Sequence, residues 1–274
     1  MIINYFNMLE INKIYNEDCL EGMKKIDDNS VDLVVTSPPY DKIRTYDGIV
    51  DTWSFDKFKK IAIELTRVLK DGGVLVWVVG DATINGSETC SSFKQVLYFK
   101  EECGLKLHDT MIYIKNGGIN RGSLLAYQQK FEYMFVFVKG KIGCVNLIKD
   151  RKNKYVEDRI KRVRQSDGTF KEQHFKSSEF GVRYNYWIYD TGNHKDEKFV
   201  HPAQFPTALA IDHIKSWSNP NELVLDPFMG SGTTAIACIR ENRNFIGFEL
   251  NKDYYDKSCK RIKEELQEKE FSLF

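Results

Sequence analysis

Two short segments carry residue types that could do chemistry. The first is Thr36-Ser37-Pro38-Pro39-Tyr40, which directly follows an apolar run. Neither proline donates a backbone hydrogen bond, so carbonyls beside them lack neighbouring donors and can accept from a ligand amine. Ser37 adds a hydroxyl that both donates and accepts. Tyr40 adds a flat face for stacking. The second segment is Leu225-Asp226-Pro227-Phe228-Met229-Gly230-Ser231-Gly232-Thr233-Thr234. Its glycines allow a tight turn and a close backbone approach to a ligand. The helix expected after it offers unpaired amides to an anion. It lacks the Lys-Ser/Thr ending of a phosphate-binding loop, and the spacing after Gly232 departs from the dinucleotide fingerprint. A nicotinamide-dependent oxidoreductase is therefore disfavoured. Glu249 ends the next apolar run, about where an acid would take ribose hydroxyls.

Both segments need strands to hold them. Residues 31–36 predict a buried strand that Pro38-Pro39 must stop. Phe55, Phe58, Ile61, Ala62, Leu65, Val68 and Leu69 recur at helical spacing, with Ser54 as N-cap and Asp71-Gly72-Gly73 as the stop. Residues 74–79 are apolar on both faces, as in a central parallel strand. Further strands are expected at 13–16, 107–114, 131–138, 223–226 and 245–249. Helices are expected near Leu20 and Met23, over 93–103, around Leu209 to Trp217, over 233–240 and at the C-terminal end, where Tyr255, Cys259, Ile262 and Leu266 form a stripe. This alternation predicts an α/β fold with a doubly wound, mostly parallel, seven-stranded sheet. Over residues 139–198 the apolar periodicity weakens. The expected division is a sheet domain of 1–138 and 199–274 around an inserted lobe at 139–198.

The two chemical segments, in this order and with an insert between them, resemble the DNA amino-methyltransferases that use S-adenosylmethionine. In that family a Ser/Asp/Asn-Pro-Pro-Tyr/Phe motif is catalytic and a Phe-x-Gly-x-Gly loop holds the cofactor. Here they read Ser37-Pro38-Pro39-Tyr40 and Phe228-Met229-Gly230-Ser231-Gly232. Catalytic motif before cofactor loop is the order of the permuted β group. Asn16-Glu17-Asp18, His201-Pro202-Ala203-Gln204-Phe205-Pro206 and Ile246-Gly247-Phe248-Glu249 extend the resemblance. It implies S-adenosylmethionine as cofactor, duplex DNA as substrate and a target-recognition region in the insert. It implies catalytic roles for Ser37, Pro38, Pro39 and Tyr40. It places Asp18 at the cofactor's adenine amine and Glu249 at the ribose hydroxyls, with Leu250 among the cofactor-binding residues. Asp226 and the backbone of Phe228, Met229, Gly230, Ser231 and Gly232 would face the methionine portion, with His201 and Pro202 beside its end, and Thr36, Pro227 and Thr233 are further cofactor-binding residues. Phe131 and Tyr133 fall where the family carries an aromatic residue near the target base.

The implied reaction moves a methyl group to an exocyclic base amine, and an amine inside the duplex must first be flipped out of the stack. Members with Ser in the first motif position more often methylate cytosine N4. Those with Asp more often methylate adenine N6. Cytosine N4 is the first expectation and adenine N6 the second. Cytosine C5 chemistry is disfavoured, because no Pro-Cys pair supplies the nucleophile. A catalytically silent DNA-binding protein is the reading from another class. The intact Ser37–Tyr40 motif and the complete glycine loop argue against it.

Charge distribution supports a nucleic-acid partner where the net sum hides one. The 274 residues carry a net charge of only +1. Residues 139–198 hold fifteen Lys/Arg against nine Asp/Glu, a net +6, which leaves −5 for the rest. A basic lobe on an acidic body is a phosphate-binding footprint. Arg151, Lys152, Lys154, Arg159, Arg162, Arg164 and Arg183 are the expected DNA contacts. The 42% apolar content is enough for a core. No apolar run approaches the roughly 18 residues of a membrane span. The start, Met1-Ile2-Ile3-Asn4, does not read as a secretory leader, so a cytoplasmic protein is expected. The six cysteines are dispersed and expected to be mostly buried apolar groups. With the histidines dispersed as well, no structural metal is expected. A cognate restriction endonuclease and a homodimer are the further partners that the resemblance allows.

Overall fold

Strands that are apolar on both faces must be covered on both sides, and that requirement organises the chain. The computed structural model describes residues 9–39, 53–117, 127–190 and 205–271. In chain order the elements are β1 (Lys13–Tyr15), α1 (Cys19–Met23), β2 (Val31–Thr36), α2 (Phe55–Val68) and β3 (Leu69–Val79). A small hairpin, β4 (Thr83–Ile84) and β5 (Ser87–Glu88), precedes α3 (Ser91–Glu101), β6 (Lys106–Asn116) and β7 (Phe131–Val138). Then come β8 (Arg151–Lys152), β9 (Asp158–Arg164), β10 (Phe170–Lys176), β11 (Phe180–Gly181) and β12 (Tyr186–Asp190). The chain continues with α4 (Thr207–Trp217), β13 (Leu223–Asp226), α5 (Thr233–Arg240), β14 (Asn244–Phe248) and α6 (Lys252–Phe271).

The central sheet has the order β1-β14-β13-β2-β3-β7-β6-β12. β7 runs antiparallel to both β3 and β6, and every other pairing is parallel. Alternation along the strands sends side chains to two cores. Leu33, Val35, Val74 and Val76 meet α4 and α5, including Leu209, Ile214 and Ile236. Val34, Leu75 and Trp77 meet α2 and α3, including Phe58, Leu65 and Phe99. Phe58, Trp77 and Phe99 form a triangle with ring centroids 5.2–5.8 Å apart. Each is fully buried, contributing about 1.5–3 kcal/mol of transfer free energy. Ser54 caps α2 as expected, accepting from Lys57 N at 3.1 Å. The helix ends at Val68 rather than at the glycine pair. Leu69 is already extended, and Gly72 N and Lys139 N bond Lys139 O and Gly73 O across to the end of β7.

The sheet has one strand more than the sequence predicted. β12 comes from inside the segment read as the insert, and pairs in parallel with β6. Its Trp187 is buried and lies 4.5 Å from the His213 ring. Tyr189 donates to Asp212 Oδ2 at 2.6 Å. The smaller compact unit is accordingly narrower than 139–198 and spans Leu147–Tyr184. Within it, β9 and β10 form an antiparallel hairpin, and β8 pairs antiparallel with β11. The hairpin turn is held by Asp167 Oδ1, which accepts from Thr169 N and Thr169 Oγ1 at 2.9 and 2.7 Å.

Two other expectations are settled by packing. All six cysteines are free, but only Cys19 and Cys238 are buried, and Cys90 is exposed. The reading of mostly buried thiols therefore fails for the majority. No helix among the described residues is long and apolar enough to cross a membrane.

His213 is fully buried on α4. Trp217 Nε1 donates to its Nδ1 at 3.3 Å, so the ring proton sits on Nε2, 3.2 Å from Met134 Sδ. Burial pushes its pKa down to about 3. The unfolded chain takes up this proton below about 6.5 while the folded chain does not, so stability is lost as pH falls through that window. Urea midpoints measured from pH 7 to pH 4 should show a steeper acid loss for the parent than for His213→Gln. Parallel profiles would contradict a neutral buried ring.

Candidate active site

The sheet order creates a crevice. From β2 the chain leaves through α2 to β3 on one side, and from β13 it leaves through α5 to β14 on the other. β2 and β13 are neighbours, so their carboxyl ends form the topological switch point where open α/β sheets bind ligands. Ser37 follows β2 directly, and the glycine segment follows β13.

One buried carboxylate ties these two ends together. Asp226 Oδ1 accepts from Thr36 Oγ1 at 2.6 Å and from Phe228 N at 3.0 Å. Its Oδ2 accepts from Thr234 Oγ1 at 2.6 Å. Burial pushes the carboxyl up to about 6 despite these donors. The loop beyond turns through Gly230 and Gly232, at φ of +52° and +84°, a region costly for residues with a Cβ. Met229 N donates to Phe248 O at 2.9 Å. Gly247 makes room for this approach, since a Cβ there would lie 2.1 Å from Met229 Cε.

Glu249 is the second brace. Its Oε2 accepts from Gly230 N at 2.8 Å and its Oε1 from Asn251 N at 2.7 Å. Burial raises its pKa. Each carboxylate oxygen retains lone-pair capacity for a ligand hydroxyl. Asn16 Nδ2 donates to the carbonyls of Glu249 and Leu250 at 2.8 and 3.1 Å, joining the end of β1 to this segment. Asp18 caps α1 through Leu20 N at 2.8 Å, and its other oxygen accepts from Lys57 Nζ at 3.0 Å.

A cavity of about 160 Å³ runs along these strand ends. A single water needs only about 10–15 Å³ on that scale, so there is room for an organic ligand. Of the expected site residues, Asp18, Ser37, Pro38, Pro39, Asp226, Pro227, Phe228, Met229, Gly230, Ser231, Thr233, Glu249 and Leu250 line it. Thr36 is wholly buried and acts on the cavity through Asp226. Gly232 turns into α5 against Ser258. Tyr40, His201 and Pro202 lie outside the described residues. The lining also includes Glu17, Cys19, Trp53, Lys57, Phe205, Phe248, Asn251 and Tyr254. Trp53 and Lys57 belong to no motif, and no signal in the sequence distinguished them from the surface of an ordinary helix start. Phe131 and Tyr133 are not among the lining residues. Tyr133 stacks on Phe135 at 5.1 Å.

The cavity's donor set fits S-adenosylmethionine. Among the described residues, four carboxylates, from Glu17, Asp18, Asp226 and Glu249, line it with one cation, Lys57. That balance favours a ligand carrying sulfonium and ammonium charges. Trp53 and Phe228, edge to face at 5.6 Å, offer apolar walls for a heterocycle.

The basic residues of the smaller unit divide by partner. Arg183 is held by Asp150, with Nε 2.9 and 3.1 Å from the two carboxylate oxygens. Arg151 bonds Val182 O at 3.0 Å and lies over the Tyr184 ring at 4.7 Å. Arg162 pairs with Glu172 at 3.1 Å. Lys152, Lys154 and Arg164 are exposed. The side chain of Arg159 lies outside the described part of β9.

Crevice, motif order and cofactor cavity together define a DNA amino-methyltransferase that uses S-adenosylmethionine. The chain belongs to the DNA methylase family designated N6_N4_Mtase, whose model matches residues 31–260. It is 51% identical over 250 residues to the orphan methyltransferase M.BamHII of Bacillus amyloliquefaciens, covering 88% of this chain and 91% of that protein. It is 28% identical to the DNA adenine methyltransferase YhdJ of Escherichia coli K12, covering 92% and 83%. Among solved structures, the M1.HpyAVI–SAM complex superposes with a TM-score of 0.60 at 28% identity, covering 91% and 98%. The fold also matches that of the PvuII DNA methyltransferase (cytosine-N4-specific), with a TM-score of 0.67 at 20% identity, covering 90% and 84%.

Thr36→Val removes one donor to the buried Asp226 carboxylate. The expected cost is about 1–3 kcal/mol of unfolding free energy, measured by urea denaturation. A loss below about 0.5 kcal/mol would mean that the contact is not a brace.

Proposed function

We propose that the protein methylates the exocyclic N4 amine of a cytosine flipped out of duplex DNA. The observation that carries this reading is the placement of Ser37 and Pro38 in the same cavity as the Asp226–Ser231 loop. Cytosine's amine is a weak nucleophile because its lone pair is delocalised into the ring. In this reading Ser37 Oγ and the Pro38 carbonyl accept its two hydrogens, which localises the lone pair. Tyr40 holds the base by stacking. The bound cofactor supplies an electrophilic methyl group on a sulfonium. The amine nitrogen would take the methyl as the sulfonium S–C bond breaks, leaving a neutral thioether, and the proton then lost from the nitrogen would pass to water. In-line positioning supplies much of the barrier reduction, with no covalent enzyme intermediate. Glu249 takes the ribose hydroxyls, and the amides at the start of α5 suit the methionine carboxylate.

Serine in the first motif position supports cytosine over adenine, since its hydroxyl can also donate to cytosine N3. The relative named a DNA adenine methyltransferase favours adenine N6 as the second reading. Incubation with S-adenosylmethionine and duplex DNA, followed by nucleoside mass spectrometry, should yield N4-methylcytosine. N6-methyladenine in its place would establish the second reading, and no transfer to any DNA would sink both. Ser37→Ala should lower turnover about 100-fold or more while leaving the Kd for S-adenosylmethionine within about threefold. An equal loss of cofactor affinity would contradict the assigned role.

The smaller unit is proposed as the DNA target-recognition region. It holds eleven Lys/Arg against six Asp/Glu over residues 147–184. Replacing Lys152, Lys154 and Arg164 together with Ala should weaken DNA binding. The slope of log K against log salt should fall by roughly 0.9 per lost phosphate contact. An unchanged slope in a fluorescence-anisotropy titration would remove these residues from the interface.

A further inference from the structure

Lys57 is the feature that the motifs leave unexplained. It sits in the first turn of α2, yet its ammonium reaches a cavity whose other charged lining residues are acids and binds Asp18 Oδ2 at 3.0 Å. Both side chains are partly buried, at 22% and 31% exposure. Sheet order locates this pair along the ligand. Ser37 follows β2, the glycine loop follows β13, Glu249 follows β14, and Asp18 lies beyond β1. β1 and β2 are separated by three strand spacings, roughly 14 Å at about 4.8 Å each. A cofactor that presents its methyl group at Ser37 and its ribose at Glu249 therefore ends its extended length near Asp18 and Lys57. The cavity's walls include Trp53, Phe228, Cys19 and Phe248, with Cys19 next to Asp18 in the chain and Trp53 four residues before Lys57, which suits a flat apolar ring with one polar edge.

We propose that Asp18 and Lys57 form a donor–acceptor pair that reads the edge of the cofactor's purine, which makes Lys57 a specificity-determining residue. Adenine presents an amine hydrogen beside an unprotonated ring nitrogen. Asp18 Oδ2 accepts from the first and Lys57 Nζ donates to the second. A 6-oxo purine reverses both groups, facing its carbonyl to the carboxylate and its ring N–H to the ammonium. The pair therefore admits adenine and rejects hypoxanthine. The inference rests on S-adenosylmethionine occupying this cavity.

Isothermal titration separates the two claims. The full chain is titrated with S-adenosylhomocysteine and with S-inosylhomocysteine. The parent should prefer the adenine compound by about 10-fold or more, the worth of one or two charge-assisted hydrogen bonds. Lys57→Met should weaken S-adenosylhomocysteine by about 10-fold and S-inosylhomocysteine far less, so that discrimination collapses. Lys57→Arg should restore part of it. If Lys57 only ties α1 to α2, both ligands weaken equally and the ratio stays fixed, which overturns the proposal. Unchanged affinity for both in Lys57→Met overturns it as well. Failure of the parent to bind either compound would instead remove the cofactor assignment, and the inference with it.

Discussion

The Asp226 carboxylate sits where the sheet's two halves diverge. Placing an ionisable acid there is expensive, because removing a carboxylate from water costs several kcal/mol unless its oxygens are bonded. Three donors meet that cost: the hydroxyl closing β2, a hydroxyl in the first turn of α5 and an amide of the intervening loop. The result is a fixed register between two strand ends that carry different jobs. The end of β2 leads into the proline pair. The end of β13 leads into the glycine turn. Neither loop could hold its geometry alone, since prolines and left-handed glycines leave few backbone bonds of their own.

The bracing then spreads outward along the sheet edge. Glu249 holds Gly230 and Asn251, Asn16 holds the carbonyls of Glu249 and Leu250, and Phe248 O receives Met229 N. Phe228 packs edge-on to both Trp53 and Trp77. The loop is thus anchored to the apolar core through one ring and to the acidic rim through its amides. A cavity walled in this way is largely formed before a ligand enters, which lowers the ordering cost of binding.

What the sequence revealed follows from where the information is contiguous. The proline motif and the glycine loop are each one unbroken segment, so their chemistry and their strand–loop setting were legible. Ser54 was legible as a cap because capping is local. Thr36 and Asp226 stand 190 residues apart, and no local pattern announces that one holds the other. Lys57 and Trp53 join the cavity only because α2 packs against α1. The strand at Tyr186–Asp190 was masked by its own composition. It fell within the basic insert, beside Arg183, which was expected to contact DNA, whereas burial of Trp187 against His213 makes it an edge strand. The same packing explains why the smaller unit is shorter than the charge run that marked it.

Charge is divided unevenly between the two units. The cavity sets four carboxylates against one ammonium, while residues 147–184 carry a net +5. The near-neutral whole therefore combines an acid-rich pocket and a basic smaller unit in one chain. The pocket's sign also bears on turnover. Methyl transfer removes the sulfonium charge, so the spent cofactor leaves the reaction one positive charge poorer than it entered. In a partly buried site, where unit charges a few ångströms apart interact by several kcal/mol at intermediate dielectric, that loss weakens the product's hold relative to the substrate's. The ammonium of the amino-acid portion is untouched by the reaction, so the acids keep part of their hold on the spent cofactor and lose only the share that the sulfonium contributed.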